Sequence, residues 1–174
     1  QGPVPSPTAG EFHDLISTAM ARYKVGQADE ALAMAKYAEQ VGRQEPLPTT
    51  LATAQSWNRL GMLFFFLGFS QQAKTIYERG FNVAKTILPS DALLMANLHN
   101  NLGQAEQMLG NLKGAHDHLQ AALEFKKSLT QVSQDEIAVT LDNLGSVESA
   151  LGNFDAAENL HKQAIALFLA ERGK

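Results

Sequence analysis

The sequence contains no cysteine, which excludes disulfide scaffolding, thiolate metal sites and a cysteine nucleophile. It lacks any excess of basic charge, since 14 Lys and Arg stand against 18 Asp and Glu for a net charge of −4. That balance offers no field for a phosphate backbone, so nucleic acid is not expected as a partner. Long apolar runs are missing too. The strongest, Leu60 to Phe69, is interrupted by Gly61 and Gly68 and is about half the roughly 20 residues of a spanning helix, so no membrane partner is expected. Gly-rich phosphate loops and nucleophile elbows are absent. Among the five histidines, His116 and His118 stand two apart and fall on different sides of a helix, unable to chelate one ion together. The sequence therefore gives no catalytic residue, no metal ligand set and no cofactor, and it leaves the compartment open.

What is present is enough for an ordered fold: 174 residues, 45% of them apolar, can bury one core of ordinary domain size. Residues 1–10 hold three of the six prolines and no helical pattern, so they are expected to be an extended, mobile tail. Gln1-Gly2-Pro3 resembles the product end of a rhinoviral protease site, and Glu11-Phe12 resembles a cloning remnant. On that basis native sequence is expected to begin near His13, the chain to be an excised fragment, and the folded domain to run over 11–174.

The chain repeats itself with a period of 42. Trp57-Asn58-Arg59-Leu60-Gly61 returns as His99-Asn100-Asn101-Leu102-Gly103 and as Leu141-Asp142-Asn143-Leu144-Gly145. In the same register stand Gly26, Gly68, Gly110 and Gly152, then Ala31, Ala73, Ala115 and Ala157, then Ala38, Gly80, Ala122 and Ala164. Four copies follow, at about 11–48, 49–90, 91–133 and 134–174. Each predicts a helix, a turn at a glycine free to take the left-handed conformation, and a second helix. Breakers separate the copies at Gly42 to Thr50, Leu88 to Asp91 and Leu129 to Gln134, and Ser133 with Glu136 makes a capping box for the last copy. No segment alternates over a strand length, so the expected class is all-α. The small residues, Gly61, Gly103 and Gly145 among them, are expected where helices meet closely. Trp57, Leu60 and Phe64 form one helical stripe expected to bury against the second helix of the same repeat. His99, in the place of Trp57, is expected to pack.

Trp57-x2-Leu60-Gly61-x2-Phe64, followed by Gly68, Ala73, Tyr77 and Gly80, resembles the tetratricopeptide repeat family, and the 42-residue period with Asn-Leu before the glycine resembles its kinesin-light-chain-like members. The likeness covers residues 13–172. Repeat 1 departs most, with Leu15, Thr18 and Ala19 in place of the large residue, Leu and Gly, so its first helix is expected to be less regular. The resemblance implies a right-handed α-solenoid of four helix-turn-helix repeats and a protein or peptide partner held in the groove of the first helices.

The stripe outward from Leu60 and Phe64 is the surface to examine. Repeat 2 offers Asn58, Arg59, Met62 and Phe65; repeat 3 offers Asn97, Asn100, Asn101, Gln104 and Met108; repeat 4 offers Asp142, Asn143 and Ser146. Amides carry both donors and acceptors, so Asn58, Asn100, Asn101 and Asn143 suit the main chain of an extended peptide. The Met and Phe side chains suit an apolar anchor. Phe65 is equally well accounted for by core packing, and Phe66 better so. Only Lys24 and Arg59 are basic on this face, so a clamp for a terminal carboxylate is not expected. The alternative reading is a self-associating scaffold that joins through repeat ends or its convex face: Ile165, Leu167, Phe168, Leu169 and Ala170 make the last helix apolar over more of its circumference than one packed face uses, so it is expected to stack on a missing repeat, a capping helix or, as a homo-oligomer contact, a second copy of the chain.

Overall fold

A computed structural model describes residues 8–44, 46–87 and 91–173. Residues 1–7 of the expected tail and 88–90 of the second breaker lie outside them. The chain forms eight helices among the described residues and no strand: α1 Ala9–Lys24, α2 Ala28–Gln44, α3 Leu51–Phe66, α4 Ser70–Thr86, α5 Ala92–Met108, α6 Leu112–Ser128, α7 Gln134–Ala150 and α8 Phe154–Arg172. Successive pairs pack as hairpins, one in each 42-residue repeat. This is the all-α fold of repeated helical hairpins that the sequence predicts.

Local chemistry explains the element ends. Gly26, Gly68, Gly110 and Gly152 all adopt φ between +81° and +88°, a left-handed region in which a β-carbon is strained, and each closes the turn inside a hairpin. Ser133 and Glu136 form the expected capping box on α7, and Thr8 with Glu11 forms another on α1. The second was not foreseen. It starts α1 at Ala9, inside the expected tail, and makes repeat 1's first helix a regular one of 16 residues. Phe12, read as part of a cloning remnant, is fully buried.

The hairpins group into two compact units, α1–α4 and α5–α8. In the first, α3 packs on both α1 and α2. Gly42, expected to break the helix, lies within α2, and a β-carbon there would stand 2.5 Å from the Trp57 ring and 2.8 Å from that of Phe12. Trp57 therefore packs chiefly against the preceding repeat, with its ring 4.7 Å from that of Phe12, rather than only within its own as expected. The Arg79 guanidinium of its own repeat lies 5.6 Å from the indole. In the second unit Ala115, Leu119, Leu123, Ala138, Leu141, Leu144, Val147 and Ala164 form one buried cluster. Both rows of small residues are buried throughout, so close helix approach is what their register encodes.

Candidate functional site

In the first unit the outward face of α1 and α3 is built around two contacts between these helices. Arg59 Nη1 donates to Ser17 Oγ at 3.3 Å, and Tyr23 stacks on Phe66 with centroids 6.0 Å apart and planes 12° from parallel. Phe66 is half exposed at 50%, where packing was expected, while Phe65 is half-buried and meets Phe66 edge-on at 6.2 Å. Met20 and Met62 are half-buried beside this face, and Arg59 and Lys24 are exposed. The His13 ring hydrogen-bonds Ser56 Oγ across the same helix pair.

Asn58 and Asn100 correct the sequence reading. Both were expected to face a ligand, and both are buried, 9% and 8% exposed. Asn58 Nδ2 lies 4.0 Å from Met62 Sδ. Asn100 Oδ1 accepts from Thr140 Oγ1 and from Asn143 Nδ2, each at 3.2 Å. The Asn100 amide therefore ties one repeat to the next, because a first helix in a stack faces its neighbouring first helix as well as solvent, whereas the Asn58–Met62 contact stays within α3.

The Asn100 contact continues inward. Lys126, only 3% exposed, donates from Nζ to the Glu136 carbonyl and to Thr140 Oγ1, each at 3.0 Å. Burial holds its amine below the usual lysine range, with the charge of Glu136 working the other way. The sequence does carry a signal for this lysine: one period earlier stands buried Ala84 and one later Phe168, so a lysine there occupies an apolar place and needs partners.

In the second unit the remaining residues of the predicted stripe lie on α5 and α7. Asn97, Asn101, Gln104, Asn143 and Ser146 are half-buried, Asp142 is exposed, and Met108 is 67% exposed. Ser146 Oγ donates to the Asp142 carbonyl at 3.0 Å, while the Asp142 carboxylate meets His161 Nδ1 at 2.8 Å. His161 sits where Tyr77 and Leu119 sit in the preceding repeats, over Gly145 as those cover Gly61 and Gly103. Histidines 116 and 118 diverge as expected: His116 Nε2 pairs with Glu148 at 3.1 Å, and His118 Nδ1 meets His99 Nδ1 at 3.0 Å. His99 also stacks on Phe125, and burial, helped by His118, pushes its pKa down to about 4. Among the described residues no three His, Asp or Glu side chains gather as a metal site would need, and no helix is long and apolar enough to cross a membrane.

A tetratricopeptide repeat model matches residues 51–128 and, overlapping, 94–170. BtubC (BKLC) from P. vanneervenii superposes with a TM-score of 0.81 at 22% identity, over 94% of this chain and 65% of that protein, so the chain spans about two thirds of BtubC's length. The nearly identical TPR-like repeats of a Podosopora anserina protein described as a kinesin light chain give 0.75 at 16% identity, covering 98% and 81%. The Cut9–Hcn1 hetero-tetramer of APC/C gives 0.65 at 24%, covering 88% and 26%. No curated protein sequence matches.

Proposed function

This chain belongs to the tetratricopeptide repeat family, whose repeats mediate protein–protein interactions, and from that premise we propose that it binds an extended peptide of a partner protein on the outward faces of the first helices of its units, α1 and α3 in one and α5 and α7 in the other. One observation carries this reading: that face holds side chains that the fold does not consume. Arg59 and the Tyr23–Phe66 stack stay open in the first unit, and Met108 in the second, while Leu60, Leu63, Leu102 and Leu144 of the same helices are buried. Half-buried Asn97, Gln104, Asn143 and Ser146 supply donors and acceptors for a peptide main chain, and the methionines and aromatic rings supply seats for apolar side chains. Asn100 ties α5 to α7, and neither it nor the buried Asn58 meets the ligand. The role is recognition, without chemistry on the bound chain.

The test uses a random peptide phage library panned against the full chain. Selected peptides are expected to lose about ten-fold or more in affinity on Arg59→Ala or on joint Gln104→Ala and Met108→Ala, the scale of a lost hot spot, with helicity unchanged. Peptides whose affinity ignores both variants, or that protect only α2, α4, α6 and α8 from hydrogen exchange, overturn it.

A further inference from the structure

The last helix is covered on one side only. Ile165 and Leu169 are 57% and 66% exposed, yet Leu123, one period before Ile165, is 4% exposed because it joins Ala138 and Leu141 of α7 in one cluster. At the other end, α1 and α2 frame a cavity of about 250 Å³ lined by Glu11, Asp14, Leu15, Thr18, Tyr37 and Val41. We propose that these two faces are complementary, so that the chain binds a second copy of itself head to tail, α1 of one copy seating on α7 and α8 of another as α7 seats on α5 and α6. This surface meets the peptide face at Ser17 and Asp142, but its test, self-association of the chain alone, is read without any peptide.

Register commits the end helix to this occupant. Leu15, Ser17 and Arg22 stand three periods before Leu141, Asn143 and Glu148. Within the second unit α7 meets the hairpin before it through Leu141 beside Leu123, Asn143 donating to Asn100 and Glu148 pairing with His116. Moved on by one repeat, these contacts become Leu15 on Ile165, the Ser17 hydroxyl on the Asp142 carboxylate, and Arg22 on Glu158. Two pairs are matched, aliphatic with aliphatic and cation with anion, while the Ser17 hydroxyl already donates to the His13 carbonyl at 2.9 Å and would have to turn to reach Asp142. In the ionic pair both members have exchanged sign together. One place is adverse, because Asp14 falls where Thr140 stands and so approaches Asp142, whose carboxylate His161 already holds. The two faces differ, so each added copy leaves one of each open and growth need not stop at a dimer.

Analytical ultracentrifugation of the full chain over a range up to millimolar concentration tests this. A mass that rises with concentration is expected. Ile165→Glu and Leu15→Glu are each expected to be monomeric alone, and their equimolar mixture to form a dimer and nothing larger, since one keeps an intact seating face and the other an intact receiving face. Leu15 is half-buried, so exposed Arg22→Glu serves as an independent seating-face variant; it weakens association about ten-fold, the scale of one lost charge pair, and mixing with Glu158→Arg restores it. Asp14→Asn strengthens association. A wild-type monomer at millimolar concentration overturns the proposal. So does a dimer that Leu15→Glu and Arg22→Glu both leave intact, which is a symmetric pairing of α8, and so does a mixture of folded Ile165→Glu and Leu15→Glu that stays monomeric.

Discussion

Gly61, Gly103 and Gly145 hold one place in three repeats, but the side chains above them differ in freedom to yield. A β-carbon at Gly61 would stand 2.5 Å from the Tyr77 ring, and Tyr77 is buried with nowhere to go. Gly61→Ala is expected to cost about 1–3 kcal/mol by overpacking. At Gly145 the added carbon meets the His161 ring at 2.8–3.0 Å, and that ring is partly exposed and can swing away, so Gly145→Ala is expected to cost less. Urea unfolding of the two variants compares them. His99 makes a second prediction at this scale. Its imidazole takes a proton near pH 4 when folded and at the ordinary 6.5 when unfolded, so its contribution to stability is full above pH 6.5 and is lost as pH falls toward 4. The thermal midpoint is expected to drop between pH 7 and 5, and His99→Phe, which keeps an aromatic ring beside Phe125, is expected to flatten that drop.

The helix faces show where a register stops being informative. Period and turn glycines assign every hairpin from the sequence, and both rows of small residues fall in helix contacts as their spacing implies. The polar stripe was less legible. A side chain four or seven residues along a helix shares a face with its neighbours, but how much of that face the next repeat covers depends on the stagger of two helices, which no single-helix pattern contains. Asn58 and Asn100 were thus assigned to solvent and are buried, while Lys126 and Thr140, outside the stripe, set the hydrogen bonding of Asn100. Removing either tests the order of that chain. Thr140→Val takes a donor from a buried carbonyl and leaves the Lys126 amine short of an acceptor, and is expected to cost about 1–3 kcal/mol. Lys126→Met keeps most of the packing, removes the cost of burying an amine and leaves the Thr140 hydroxyl donating to Asn100. Its loss is expected to be the smaller in chemical denaturation, and the reverse order would place the lysine, not the threonine, at the centre of the network.

For the molecule as a whole, stability in such an architecture is a sum of hairpins and the contacts between neighbours. That sum can be interrogated by removing its last member. In α5–α8 the core cluster draws Leu141, Leu144 and Val147 from α7 and Ala164 from α8, with Leu160, Leu167 and Phe168 packed against it. A chain ending at Gly152 keeps every residue of α7, its capping box and its helix propensity. It loses the side that buries Leu144 and seats the His161 ring over Gly145. A single helix of 17 residues is marginal in water without a packed face, so cap and sequence cannot hold α7 alone; only its seat on α5 and α6 remains. Hydrogen exchange by mass spectrometry is expected to show α7 amides losing most of their protection in the shortened chain, with α5 and α6 keeping part of theirs through Leu119 and the contact of Gly103 beneath it. Full retention of α7 protection would mean that stacking on the preceding hairpin outweighs pairing within a hairpin, and the unit of folding would then be the interface between repeats instead of the repeat.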